Sequence, residues 1–276
     1  MIPRMAAGAA LAAILAGSVH ANASGAVPLA SHRAAYELSL ADPTSPPPTL
    51  AQTPIAASGL IAYEFRGSAC DGYASTFRQM TEMDRNGGDP ISTVVDATSF
   101  EDADGKSMRF RVVSEGAKNA PAVAGVARRS ADDDMRVDLT KPTAQEIHFG
   151  HDVLFPTQHI ERLIDAAKNS ARVVQARVYD GSDTGAKIYS TMTIIGKEAT
   201  AGGDDNVASE LNGVRRWPVV VSYFNEASKD STPEYTLSFQ LYENGVSGSL
   251  KLDYGTFALK ARLRKLEILP TSACKK

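Results

Sequence analysis

His148, His151 and His159, with Asp152, form the densest set of metal-ligating residue types in this chain. Zinc is held by such side chains, but the spacing argues against it. Gly150 lies between His148 and His151 and disfavours a helix carrying both on one face. In a strand, residues three apart point to opposite faces. The three read as surface or loop histidines, and no metal is assigned. Glu101-Asp102-Ala103-Asp104-Gly105 has the composition of a calcium loop. The EF-hand register fails, because Phe100 and Arg111 would fall at its first and twelfth positions. Asp104-Gly105 is explained by a hairpin turn. Neither Gly181-Ser182-Asp183-Thr184-Gly185 nor Gly245-Val246-Ser247-Gly248 is a G-x-S-x-G elbow, and no histidine and acid can be assigned to either serine. There is no P-loop, dinucleotide fingerprint or H-E-x-x-H. No catalytic residue and no cofactor is assigned, and the chain is read as a non-enzyme.

Cys70 and Cys274 are the only cysteines, and their meaning depends on compartment. Arg4 followed by the small apolar run 5–19 and Ala21-Asn22-Ala23 reads as a signal peptide, residues 1–23, cleaved after Ala23. The run is too short and too rich in alanine and glycine for a spanning anchor. No cysteine precedes Cys70 to take a lipid, so a free periplasmic or secreted protein is expected. Two cysteines in an exported chain favour a disulfide over two separate free thiols. Such a bridge would close a loop of roughly 200 residues, for which the chain-entropy model gives about 5 kcal/mol before native strain is subtracted. A redox-active pair would sit as C-x-x-C, which this pair does not.

The elements around these residues are strands. With 43% apolar and 22% charged residues, the 276-residue chain can bury a full core, and its net charge of −3 with no lysine or arginine track gives no case for nucleic acid. Alternation marks strands at 32–40, 61–65, 73–83, 93–100, 108–113, 122–127, 135–139, 173–179, 188–195 and 219–223. The region 41–54 holds five prolines and reads as a loop of polyproline character. Asn86-Gly87-Gly88 reads as a turn and 201–206 as a polar loop. Residues 235–274 give the clearest pattern. Tyr235, Leu237, Phe239 and Leu241 share one face, and Asn244-Gly245 supplies a two-residue hairpin turn. Val246, Gly248, Leu250 and Leu252 return on the inner face, followed by Phe257, Leu259, Ala261 and Leu263. The phase changes before Leu266 and Ile268, which places a β-bulge near Arg264-Lys265. Phe239, Leu241, Leu250, Leu252, Phe257 and Leu259 are the expected inner face or cavity lining. One amphipathic helix interrupts the strands. Thr157 is its expected cap, Ile160, Leu163, Ile164 and Ala167 its apolar stripe, and Lys168 and Asn169 its end. It is expected to cover or plug the concave face, through Ile160, Leu163 and Ile164 above all. Trp217, beside Arg215-Arg216, reads either as a strand-start core residue or as a partly exposed anchor. The expected architecture is mostly β: residues 24–276 as a single antiparallel curled or barrel-like sheet of roughly a dozen strands or more, covering one helix.

Several blocks then carry a resemblance: HRAAYELSL (32–40), YEFRGSACDGY (63–73), LFPTQHIERLIDAA (154–167), VYDGSDTGAK (178–187), WPVVVSYF (217–224) and the long run 233–270, closed by Cys274. In order and spacing the chain resembles the alphaproteobacterial cell-envelope integrity family EipB, a domain of unknown function. The resemblance implies a periplasmic β-spiral similar in shape to the carriers of lipoprotein transport. It implies a disulfide between Cys70 and Cys274, and a role in envelope integrity with no established catalysis. A periplasmic tetratricopeptide-repeat protein is an implied partner. The expected function is therefore a non-enzymatic, monomeric protein that supports the outer membrane by binding a lipid, lipoprotein or envelope partner. The alternatives are a pure protein scaffold and, less favoured, an envelope hydrolase.

Overall fold

The computed structural model describes residues 27–42, 54–85, 88–116, 121–199, 209–271 and 274. The expected signal peptide and cleavage site, the prolines within 43–53, Asn86-Gly87 and the polar loop 201–206 lie outside the described residues. In chain order the strands are β1 (His32–Ala41), β2 (Pro54–Ser68), β3 (Gly72–Arg85), β4 (Ile91–Glu101), β5 (Ser107–Glu115), β6 (Val123–Arg129), β7 (Met135–Lys141), β8 (Gln145–Gly150) and β9 (Val153–Leu154). Helix α1 (Pro156–Lys168) follows, then β10 (Val173–Val178), β11 (Tyr189–Ile195), β12 (Arg216–Asn225), β13 (Tyr235–Tyr242), β14 (Ser247–Asp253) and β15 (Ala258–Ile268).

All fifteen strands form one sheet in the order β8-β7-β6-β5-β4-β3-β2-β1-β15-β14-β13-β12-β11-β10-β9. Because β1 pairs with both β2 and β15, the first and last strands meet in the middle of the sheet. Only the short β9 runs parallel to its neighbour, β10. The two edges, β8 and β9, come together where the sheet curls. There Arg177 of β10 donates to the carbonyls of Phe149 (2.9 Å) and His151 (2.5 Å) across the seam, and is held by Glu226 at 2.7 and 2.8 Å. Beneath the seam Phe110, Val123, Val137 and Leu139 pack against Phe155, Tyr179 and Ile188. The β10–β11 loop lies close to this wall. Gly181, at φ +72°, leaves only 2.4 Å between the Phe110 ring and the place a Cβ would take, so any side chain there would strain the backbone and displace the ring. The result is a nearly closed, barrel-like sheet.

Local chemistry explains the registers. Along β1, His32, Ala34, Tyr36 and Leu38 point inward and are buried, while Arg33 and Glu37 point out. Ala35 pairs with Lys265 and Tyr36 with Leu263, so Arg264 is the extra residue of a bulge, at the expected place. Its Nε donates to Glu37 on the outer face at 2.7 Å. A second bulge had no signal in the alternation. Ser238 pairs with Lys251 but Gln240 with Gly248, so Ser249 and Leu250 together oppose Phe239. Ser249 takes a left-handed φ of +48° to make the step. Leu252 therefore faces with Leu237, whereas Gly248 opposes Gln240 rather than sharing the inner face. The Asn244-Gly245 turn also differs from expectation. Gly245 N–H donates to the Tyr242 carbonyl and Tyr242 N–H to the Val246 carbonyl, each at 2.9 Å, and Gly245 has φ +85°. Residues 243–245 thus form a three-residue loop with one left-handed glycine, in place of the two-residue turn.

Helix α1 starts two residues earlier than expected. Its N-cap is Phe155, fixed in the core beneath the seam, and Pro156 takes the first helical position, where its missing N–H costs nothing. Thr157 lies inside the helix and does not cap it. At the other end Asn169 has φ −87°, and the left-handed position belongs to Ser170 (φ +60°). Strands β8 and β9 were not expected from the sequence, and His148 lies on β8.

Candidate functional site

The sheet interior is where the chain brings unlike groups together. Leu163, Ile164 and Ala167 of α1 are buried against Phe65 and Tyr73 on one side and Trp217, Val219, Val221, Phe239 and Leu241 on the other. Ile160 is partly buried against the same cluster. The helix is thus an internal plug that ties two walls of the sheet. Trp217, fully buried with Arg215 over its ring at 5.1 Å, is a core residue rather than an exposed anchor.

The plug is held at its N-terminus by Glu101. Pairing with Tyr73 and Met108 places Glu101 on the inner face at the end of β4. Only 4% of it is exposed. Thr157 N–H donates to both carboxylate oxygens, at 3.0 and 3.2 Å, and the Thr157 hydroxyl donates to Oε1 at 2.8 Å. A helix N-terminus is short of acceptors, and Glu101 supplies them from another element. Burial pushes the Glu101 carboxyl up to about 7; the bonds from Thr157 pull the other way and the nearby Glu161 adds to the rise. Glu161 is itself raised, by burial and by Asp165. The Tyr63 phenol is raised by burial and by Glu101. His159, buried on the same helix, is lowered to about 4 by burial and by Arg162, and its Nε2 has no hydrogen-bond partner among the described residues. A cavity of about 80 Å³ lies between the helix start and the wall, lined by His32, Tyr63, Phe65, Ser75, Glu101, Thr157 and Ile160 together with Leu29, Pro156 and Gly245.

The interior is not uniformly filled. Of the six inner-face residues picked from sequence, Phe239, Leu241 and Leu259 are buried, and Leu250, Leu252 and Phe257 are only partly so. Inward-facing Tyr223, Tyr235 and Leu237 are also partly exposed. So are Phe77, Val95 and Val112 on β3–β5, past the stretch the helix covers. Tyr223 and Tyr235 stack at 4.4 Å, Tyr189 meets both edge-on, and Tyr254 and Phe257 stack at 5.0 Å. One part of the interior is therefore plugged, and the rest presents half-exposed aliphatic and aromatic groups.

The histidines do not come together. His148 accepts or donates on the outer surface with Glu146 (3.0 Å) and Asp134 (3.5 Å), His151 bonds the Asp132 carbonyl (2.9 Å), and His159 is inside. Cys70 and Cys274 are joined, with Cα atoms 5.7 Å apart and 204 residues between them in sequence. The bridge ties the chain end after β15 to the β2–β3 turn. Sequence reasoning missed Glu101 as a buried group because it stood in an acid-rich turn. The signal lay in parity: Glu101 is in phase with Val95 and Ala97 on β4.

Against known proteins, residues 23–270 match the family described as EipB-like. The chain belongs to the EipB-like family. The cell envelope integrity protein EipB of Brucella abortus is 34% identical over 257 residues, 91% of this chain and 88% of that protein. A crystal structure of a beta-barrel-like protein of a domain of unknown function, also from Brucella abortus, superposes with a TM-score of 0.80 at 32% identity, covering 89% of this chain and all of that one. The two chains therefore share the barrel-like fold over most of their length.

Proposed function

We propose that this EipB-like protein acts in the periplasm, without catalysis, to support the integrity of the cell envelope. In this reading it holds an apolar chain, from a lipid or a lipoprotein, on the part of the interior that α1 leaves open. The carrying observation is the unequal filling of the sheet: Tyr223, Tyr235, Leu237, Leu252 and Phe257 face inward yet stay partly exposed. An apolar surface left half-wet inside a curled sheet is suited to an acyl chain. The disulfide suits an oxidising compartment, and the relative that supports envelope integrity suits the same place. Displacement of a fluorescent fatty acid tests the reading. Saturable binding that Leu252→Asp abolishes, with the fold intact by circular dichroism, supports it. No saturable binding by the wild type defeats it.

A scaffold that carries no ligand is the second reading, and an exposed apolar patch on the outer face favours it. Val173, Ile194 and Val220 lie directly across from one another on β10–β12 and are all exposed. A pull-down from envelope extract separates the two readings. A protein partner that survives mild detergent and is lost in Ile194→Asp argues for the scaffold.

A further inference from the structure

Among the described residues, one buried acid inside the sheet has no cation to answer it. Glu101 is 4% exposed, and the groups acting on it are Thr157 and a second acid, Glu161. Glu161, half-buried on α1, is likewise influenced by an acid, Asp165, and not by a base. The neighbouring titratable groups from the other elements are His32 of β1, Tyr63 of β2 and Tyr73 of β3. None of them is cationic in this setting. Burial lowers the His32 imidazole, and its Nδ1 donates to the Ala30 carbonyl at 2.7 Å, which leaves Nε2 as an acceptor.

The cavity of about 80 Å³ lies against this acid. Its wall offers the Tyr63 and Phe65 rings, the Ser75 hydroxyl and the carboxylate. Glu101 Oε1 takes two bonds from Thr157 and Oε2 takes one, so Oε2 keeps capacity for a further donor. A lone negative charge, aromatic rings and spare acceptors in a low-dielectric space attract a cation with N–H groups. The Thr157 bonds offset only part of the desolvation cost of this buried carboxylate. We propose that this cavity binds a primary ammonium group on a short carbon stem, with Glu101 as its counter-ion. The space exceeds the roughly 10–15 Å³ that a single water needs on the same measure, so a small ammonium on a short stem fits. The N-terminus of α1 does not oppose the cation, because its Thr157 donors are already answered by Glu101. Free small amines and an ethanolamine lipid headgroup share this chemistry. The site is separate from the half-open surface proposed for an acyl chain and stands without it.

The test is calorimetric titration of the oxidised full chain with ethanolamine, using ethanol as the neutral control. Saturable binding is expected near pH 8 and about tenfold weaker near pH 6, because the ammonium requires the ionised carboxylate. Ethanol should not bind, Glu101→Gln should abolish ethanolamine binding, and Tyr63→Phe should retain it. Flotation with phosphatidylethanolamine against phosphatidylcholine vesicles separates the sources. Selective flotation competed by free ethanolamine names the lipid headgroup, and its absence alongside solution binding names a free amine. No saturable amine binding by the wild type near pH 8, or equal binding near pH 6, overturns the proposal. So does undiminished binding by Glu101→Gln. The wild-type pH comparison decides the matter even if that variant does not fold.

Discussion

Replacing Glu101 by glutamine should change how stability depends on pH, in a direction the interior dictates. Folding raises this carboxyl from 4.5 to about 7. A group raised in the folded state contributes stability that is fully present below its unfolded value. That contribution is lost as pH climbs through its folded value. At roughly 1.4 kcal/mol per unit, Glu101 therefore costs about 3 kcal/mol between pH 4.5 and 7. His159 works the other way. It falls from 6.5 to about 4, so its contribution is present above 6.5 and lost as pH drops through 4, again about 3 kcal/mol. Between pH 4.5 and 6.5 the two slopes oppose, and the wild type should be nearly flat with respect to this pair. Glu101→Gln removes one slope and keeps an acceptor for Thr157. Its stability relative to wild type should rise by about 3 kcal/mol from pH 4.5 to 7. His159→Gln should show the opposite trend. Urea unfolding of the oxidised protein at four pH values measures both, with groups common to all variants cancelling in the differences. A Glu101→Gln difference that stays constant within about 0.5 kcal/mol across this range would refute the argument from burial.

Three further outcomes follow from the packing. Cys70→Ser or Cys274→Ser should lower stability by up to about 5 kcal/mol, because 204 residues separate the bonded pair, and should shift mobility on a non-reducing gel; unchanged melting and mobility would contradict a structural bridge. Leu163→Ala removes a fully buried contact between helix and both walls and should cost about 2–5 kcal/mol in denaturant unfolding. Gly181→Ala meets both a left-handed φ and the Phe110 ring, and should destabilise by more than about 1 kcal/mol, whereas Gly213→Ala, also left-handed but open, should cost less.

Much of the fold was legible because period-two alternation is strong where one face is buried and the other wet. The β15 bulge at Arg264 showed as a phase change, since a single extra residue moves Leu266 to the other parity. The β14 bulge at Ser249 did not, because small residues on both parities, Ser247, Gly248 and Ser249, leave no apolar phase to break. Strand β8 escaped notice for a related reason: Gln145, Glu146 and His148 are exposed at the free edge, and only Ile147 and Phe149 face the core. The helix was plain from its stripe, but its start was set by Phe155 in the core, a tertiary fact. Glu101 carried only a weak signal, its shared parity with Val95 and Ala97. Its inner-face neighbours on β3 and β4 include Ser75, Ser99 and Thr81, so the polar parity of these strands did not announce an interior. Parity grouped the six inner-face residues, yet whether each is packed or open depends on how far α1 reaches, which local pattern does not encode.

Native mass spectrometry of the oxidised protein, isolated from envelope fractions without detergent, tests the central claim most directly. The account predicts a population carrying the added mass of a lipid or acylated species, released by mild organic extraction and absent from a Leu237→Asp, Leu252→Asp variant that keeps its disulfide and circular dichroism. Bare protein mass from every fraction, with no uptake when lipid is added back, would contradict it.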